Sequence, residues 1–495
     1  MSTIPTEGSP LEGTPAEGTP MSVPAEETGT VLVNPYEELE AQLRGRAIKP
    51  ADPEYDAARA VYNGMIDRRP ALIVCCEDAA DVVACVGFAR LHALEIAVRG
   101  GGHNAAGLGV WDGALVIDLS RMRSTTVDPA NHTVRVDGGC LWRDVDHATV
   151  PFGMAVPTGF VSSTGVAGLT LGGGVSGYLG RRFGMTVDNL LSADVVLADG
   201  SLVTADAEHY PDLFWALRGG GGNFGIVTSF TFRCHDIGEH GMVIGGPVFY
   251  DLADLGEVMR WYRELLPSLP AELSGWIGIV SIPPVPLFPE ELHLRKACVI
   301  VWCYSGPHDK ADEVLAPVRA FGSPLIVGLQ QLPFTALQSL FDPLLPAGLQ
   351  WCWKADFTPA IPDAAIEVHR KYAELMPTPL CTMHMYPLDG ASAAVAPDAT
   401  AVAYRAGGWA AVIVGVDPDP ANAAAITDWA KSYWEELHPT TAGRAYINFI
   451  MDEGQDAIQA AYLGNYDRLA QIKAKYDPDN VFHINQNIPP AAADA

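Results

Sequence analysis

Arg99-Gly100-Gly101-Gly102-His103-Asn104 follows directly on Ala93-Leu94-Glu95-Ile96-Ala97-Val98, a largely apolar segment that reads as a short buried strand. Glycine loses more conformational freedom on folding than any other residue, so three in succession inside an apolar region need a reason. A strand running into consecutive unhindered backbone N–H groups is a natural cradle for a pyrophosphate. The histidine that closes the run offers an imidazole beside that cradle.

Outward from this point the chain alternates. Residues 71–75 read as a strand, 79–91 as a helix with Val82, Val83, Val86 and Ala89 near one stripe, and 115–118 and 133–136 as further strands. Residues 194–203 read as a hairpin turning at Asp199-Gly200. A short helix over 211–218, a glycine turn and the alternating strand 226–232 follow. Before the glycine run, residues 34–67 read as helical. Residues 240–440 mix strands with helices such as 255–266 and 421–437, and helices over 455–462 and 466–476 precede a polar, Asn-rich end.

At 495 residues the chain is long enough for more than one domain, each with its own core. Hydrophobic residues make up 48% and charged residues 18%, a globular composition. The net charge of −28 argues against nucleic acid, which demands clustered cations, and against anionic membrane surfaces. The nine cysteines form no C-x-x-C pair, and with no export signal they read as reduced thiols of a cytoplasmic protein. No apolar run approaches the roughly 18 residues that span a bilayer. Residues 1–35 repeat a Glu-Gly-Ser/Thr-Pro theme and read as a disordered tail.

Gly220-x-Gly222-x-x-Gly225 satisfies a dinucleotide fingerprint as a string, but the order here is helix, glycines, strand, whereas that fingerprint needs a strand before and a helix after. No G-x-x-x-x-G-K-[ST] loop is present. A second glycine region carries more weight. Pro157-Thr158-Gly159, Thr164-Gly165-Val166-Ala167-Gly168 and Gly172-Gly173-Gly174 fall within 18 residues and imply a long ligand lying along the backbone. Together with His103 they suggest a flavin tethered through an imidazole.

These strings, with Asp188-Asn189, Trp215 through Gly225, Tyr446-Ile447-Asn448 and Asn485 through Pro490, resemble the FAD-linked oxidases of the vanillyl-alcohol oxidase superfamily, in the berberine-bridge-enzyme-like branch. The resemblance implies an α+β fold: a PCMH-type FAD-binding domain built from both chain ends, with an inserted substrate domain on an antiparallel sheet covered by helices. The corresponding boundaries are 36–237 (core 66–237) for the FAD domain, 238–440 for the substrate domain and 441–495 for the returning C-terminal segment. It also implies a covalent bond from His103 to the flavin 8α carbon. Arg99, Gly100, Gly101, Gly102, Asn104, Gly107, Pro157, Thr158, Gly159, Thr164, Gly165, Gly168, Gly172, Gly173 and Gly174 become expected cofactor contacts. So do Asn189, Gly225, Ile226, Val227, Tyr446, Asn448, Asn485 and Asn487. Val161 stands where many relatives carry a second tethering cysteine, so a single tether is expected, and Cys140 reads as core. Phe449 stands where relatives carry a tyrosinate base, so the base must be sought elsewhere.

Residues 349–357 read as a strand with Cys352, Lys354 and Asp356 on one face and Trp351, Trp353 and Phe357 on the other. Lys354 beside Asp356 could tune a general base. In 383–386, His384 and Tyr386 share a face and either could accept a proton. Tyr446 could face the flavin, as a support. The expected activity is removal of hydride from an alcohol, amine or sugar by FAD, with O₂ as electron acceptor and H₂O₂ as product. A dehydrogenase using another acceptor and a flavin-binding protein without turnover are the alternatives. The partners expected are a small organic substrate and O₂, in a monomer or homodimer, with no metal.

Overall fold

The computed structural model describes residues 35–443 and 445–492. The expected tail over 1–35 lies outside the described residues apart from Pro35.

The helix Ala79–Leu91 begins at Asp78, whose carboxylate accepts from the Ala80 and Asp81 N–H groups and so satisfies two donors that a helix start leaves free. It packs on a four-stranded sheet in which Leu72–Cys75 and Ile96–Arg99 flank Leu115–Asp118 in parallel, and Arg46–Ile48 adds an antiparallel edge. Leu72, Val74, Leu115 and Ile117 are fully buried against Val82, Val86 and Ala89. Each such aliphatic side chain contributes about 1.5–3 kcal/mol on leaving water.

Two sequence expectations fail in this region. Residues 34–67 form only the short helices Pro35–Glu40 and Tyr55–Ala58 with the strand Arg46–Ile48 between them. The cause is tertiary: the Asp81 carboxylate takes the Arg44 and Gly45 N–H groups at 2.8 and 2.9 Å and pins the chain extended beside Leu72–Cys75. The strand before the glycine run starts at Ile96 rather than Ala93, because Ala93 has φ +51° and turns the chain out of the preceding helix.

A five-stranded antiparallel sheet follows, in the order Thr125–Asp128, Thr133–Asp137, Ile226–Arg233, Leu190–Val196, Leu202–Asp206. Its last two strands are the expected hairpin, with Val196 opposite Leu202. Helices Trp142–Thr149 and Pro211–Leu217 share a core with it, and the C-terminal segment returns to the same core through Ile447, Ile450, Tyr462, Leu469 and Ile488.

Residues 242–417 build an eight-stranded sheet in which every pairing is antiparallel. Period-two alternation divides its side chains. Ile277, Ile300, Cys352, Met383 and Ile413 point to one face, beneath helices Leu255–Leu265, Asp363–Glu374 and Ala423–Leu437. Trp276, Val301, Trp351, Tyr386 and Val412 point to the other, toward Tyr62, Tyr178 and Tyr446 of the remaining chain. That second face bounds the site.

Candidate active site

The glycine run leaves the end of the strand Ile96–Arg99 as an open loop. Gly102 has φ +70°, a backbone state that costs glycine nothing. Among the described residues, the N–H groups of Gly101, Gly102, His103 and Asn104 donate to no protein acceptor. Four free donors on successive residues fit the expected pyrophosphate. The second glycine region meets the first backbone to backbone. A Cβ on Gly101 would stand 2.5 Å from Gly165 N and 2.6 Å from Gly165 Cα. Gly168, on the helix Val166–Leu171, has nothing within 4 Å of where its Cβ would be, so it faces open space.

That space is a cavity of about 630 Å³. Arg99, Gly100, Gly101, Gly102, His103 and Asn104 line it, as do Gly159, Thr164, Gly165, Gly168 and Gly172. From later in the chain Gly225, Ile226, Val227, Tyr446, Asn448 and Asn485 complete that side. Arg99 is itself held by the Asp118 carboxylate at 2.7 Å. Asn485 is anchored through its Nδ2 to the Gly222 and Phe482 carbonyls, while its buried Oδ1 has no partner, an acceptor a ligand could use.

Seven expected cofactor contacts do not line the cavity. Gly107 sits against Ile66 with φ +71°. The Pro157 carbonyl accepts from Thr186 Oγ1, and Thr158 is buried beside it. Gly173 and Gly174 pass beneath Tyr446, which takes the Gly174 N–H at 2.7 Å. Asn189 caps the Phe183 and Met185 carbonyls. The Asn487 carbonyl accepts from Gln455. Glycine and proline spacing marks tight backbone without telling which side a ligand takes.

His103 stands in the cavity wall. Its ring stacks on Tyr62 with centroids 3.9 Å apart, and its Nε2 lies 3.1 Å from Ser163 Oγ, which leaves Nδ1 without a protein partner among the described residues. Burial pushes the imidazole down to about 4, so the ring is neutral, and in the tautomer whose Nε2–H donates to Ser163 Oγ the lone pair is on Nδ1.

His384 and Tyr386, on the strand Thr382–Pro387, line the same cavity. His384 Nδ1 and Tyr386 Oη are 2.9 Å apart. Burial drives the imidazole down to about 3 and the phenol well above 10, so the pair rests as two neutral groups sharing one hydrogen bond. Gly278 lies opposite His384 in the neighbouring strand, where any Cβ would meet the imidazole at 3.0 Å. Tyr446 Oη accepts from three donors, the N–H groups of Gly174 and Val175 and Asn448 Nδ2 at 2.7, 3.2 and 2.8 Å. Burial still outweighs those donors and raises the phenol to about 12. Three donors on one oxygen hold the phenol in place.

Lys354 and Asp356 correct the expectation made for them. The alternation is as read, but their face is the one covered by the helix Ala423–Leu437, and neither lines the cavity. Lys354 pairs with Glu453 at 3.0 Å, and Asp356 with His438 at 2.8 Å. Burial raises the Asp356 carboxyl to about 6, with His438 opposing. The Trp351 and Trp353 face is the one that meets the cavity. Tyr62, Phe160 and Ser163 also stand at the site and were not read from the sequence. The alternation of Trp351 and Trp353 on one strand was the legible signal for this wall.

Among the described residues no group of three His, Cys, Asp or Glu could hold a metal ion, and no helix is long and apolar enough to cross a membrane.

A family described as FAD binding domain matches residues 70–206, and one described as berberine and berberine like matches residues 445–489. A FAD-linked oxidoreductase of Dictyostelium discoideum is 30% identical over 466 residues, spanning 93% of this chain and 97% of that one. (R)-6-Hydroxynicotine oxidase of Paenarthrobacter nicotinovorans is 29% identical over 478 residues, 90% of this chain and 97% of its own. Among solved structures, BBE-like 1 of Physcomitrella patens matches with a TM-score of 0.81 at 26% identity, over 92% of this chain and 99% of that one.

Proposed function

The chain belongs to the FAD-linked oxidoreductases, and from that premise we propose that it is an oxidase whose FAD is bonded to His103 and whose substrate proton is taken by the pair His384–Tyr386. One observation carries the reading: a donor-rich glycine loop with a neutral histidine and a neutral His–Tyr pair line a single cavity. Bound there, FAD would supply two-electron redox chemistry, with O₂ as the final acceptor and H₂O₂ as its product.

The protein's own part is binding, orientation and proton movement. The N–H groups of residues 101–104 would hold the pyrophosphate, and Nδ1 of His103 would bond the 8α carbon, with Ser163 Oγ against Nε2. As an alcohol C–H would leave with its electron pair for the cofactor, Tyr386 Oη would receive the hydroxyl proton and pass its own to His384 Nδ1, the imidazolium so formed being balanced by the charge that the hydride carries, leaving a carbonyl product. The apolar walls keep water from the reacting carbon. Residues 36–237 with 441–495 form the cofactor domain in this reading, and 238–440 the substrate domain. All nine cysteines are free and buried, in accord with a reducing compartment such as the cytoplasm.

The test is anaerobic mixing of the holoenzyme with an alcohol, amine and sugar library. An active compound bleaches the flavin, and air restores the colour with release of peroxide. Tyr386→Phe keeps its flavin content and loses reduction rate by about 10²-fold or more. Bleaching that air does not reverse would make the enzyme a dehydrogenase, and an unchanged rate in Tyr386→Phe would remove the proton pair.

A further inference from the structure

We propose that the substrate is an uncharged, planar aromatic molecule bearing the oxidisable hydroxyl, in preference to a sugar or a protonated amine; this rests on the oxidoreductase reading and narrows it.

Six rings that line the cavity touch one another in sequence. Tyr62, stacked on His103, meets Trp351 at 5.2 Å, and Trp351 meets Trp353 at 6.1 Å. Trp353 then meets Phe449 at 6.0 Å, Phe449 meets Tyr386 at 6.1 Å, and Tyr386 stacks on Phe160 at 5.4 Å. The belt leads from the tether to the proton-accepting pair, so a molecule reacting between them lies along aromatic faces. Ring-on-ring contact is worth about 0.5–1.5 kcal/mol beyond the area buried.

The polar inventory weighs against the other classes. No Asp, Glu or Lys lines the cavity among the described residues, and its one guanidinium, Arg99, is already paired with Asp118. A cationic ammonium would therefore be buried without a counter-charge. On the strands of the eight-stranded sheet the lining polar side chains besides the tryptophans are Ser281, Thr382, His384 and Tyr386, the last two bonded to each other. A sugar brings several hydroxyls, and each left unpaired costs about 1–3 kcal/mol. The indole N–H groups of Trp351 and Trp353 and the Thr382 hydroxyl are buried without partners, which suits a ring with one or two oxygen substituents. The rim agrees: Leu287 and Leu294 there are 69% and 50% exposed beside Pro283 and Pro284.

The experiment titrates anaerobic holoenzyme with naphthylmethanol, cellobiose and benzylammonium, reading flavin absorbance and tryptophan fluorescence. Naphthylmethanol binds at least about tenfold more tightly than either of the others, and Trp353→Leu weakens it by about tenfold with cellobiose unaffected. Cellobiose or benzylammonium binding as tightly as naphthylmethanol overturns the inference. So does unchanged naphthylmethanol affinity in Trp353→Leu that retains its flavin. The two readings fail separately. Naphthylmethanol that perturbs the spectrum without bleaching the flavin sustains the aromatic site and counts against the oxidase, whereas bleaching by cellobiose sustains the oxidase and refutes the aromatic site.

Discussion

Replacing Gly101 by alanine tests the contact on which the cofactor cradle is built. The added Cβ would stand 2.5 Å from Gly165 N, 2.6 Å from Gly165 Cα and 3.2 Å from Leu141 Cδ2. The first two distances fall roughly 1 Å short of comfortable contact. Gly165 cannot retreat, because Val166 N donates to Cys140 O and Trp142 N to Thr164 O, both at 2.9 Å, on either side of it. The strain must be taken by separating the two glycine loops. Overpacking of this kind costs about 1–3 kcal/mol, and more where backbone opposes backbone. Taking about 3 kcal/mol, and 2–4 °C per kcal/mol for a domain of some 200 residues, the melting temperature falls by roughly 6–12 °C. Gly87→Ala is the control, since it lies exposed on the helix Ala79–Leu91, away from the cavity, with nothing within 4 Å of its Cβ. Thermal unfolding by circular dichroism, with flavin content by absorbance, should show Gly101→Ala melting early and poor in flavin, and Gly87→Ala melting no earlier than the parent with full flavin. Gly101→Ala that melts with the parent and carries full flavin would refute the close apposition of the loops.

Three further outcomes are expected. Asp146 is buried with Gln338 Nε2 3.4 Å from Oδ2 and no partner on Oδ1, and burial raises its carboxyl from 3.8 to about 8. The folded chain thus keeps a proton that the unfolded chain releases above about pH 4, so its contribution is complete below that and is lost as pH rises toward 8, with a ceiling of about 6 kcal/mol. Urea midpoints should fall between pH 5 and pH 8 in the parent, and Asp146→Asn should remove most of that fall. Lys473, fully buried, donates to Asp477 at 2.6 Å and to the Asn223 and Phe482 carbonyls at 2.7 and 2.9 Å, joining the Gly221–Asn223 turn to the C-terminal segment beside the cavity. Lys473→Met strands the Asp477 charge and should cost about 3–5 kcal/mol in urea unfolding, with part recovered in Lys473→Met/Asp477→Leu. Asp356→Asn and Lys354→Ala, on the helix-covered face, should each leave the anaerobic flavin reduction rate within about twofold of the parent, less than 0.5 kcal/mol of barrier.

The cofactor side was legible because its information is local. Glycines at Gly101, Gly165 and Gly172 mark places where backbone, or the Asn448 side chain, occupies the space of a Cβ, and that demand shows in any reading of the chain. The substrate side was legible only by half. Alternation placed His384 with Tyr386 and separated Trp351 and Trp353 from Lys354 and Asp356, but it does not say which face receives the helix Ala423–Leu437. That choice belongs to packing between segments some seventy residues apart, and an acidic or basic side chain looks the same in sequence when it answers His438 or Glu453 behind the sheet. Tyr62 and Ser163 escaped for the same reason. Their meaning lies in the ring and the nitrogen of His103, which the fold brings to them from forty and sixty residues away.

The measurement that bears most directly on the account is the mass of the tryptic peptide containing residue 103, taken from acid-precipitated yellow protein. An increment equal to FAD (or to the flavin fragment left by digestion) on His103, absent in His103→Ala, is the predicted result. Stoichiometric flavin that the acid strips away, with an unmodified His103 peptide, would contradict it.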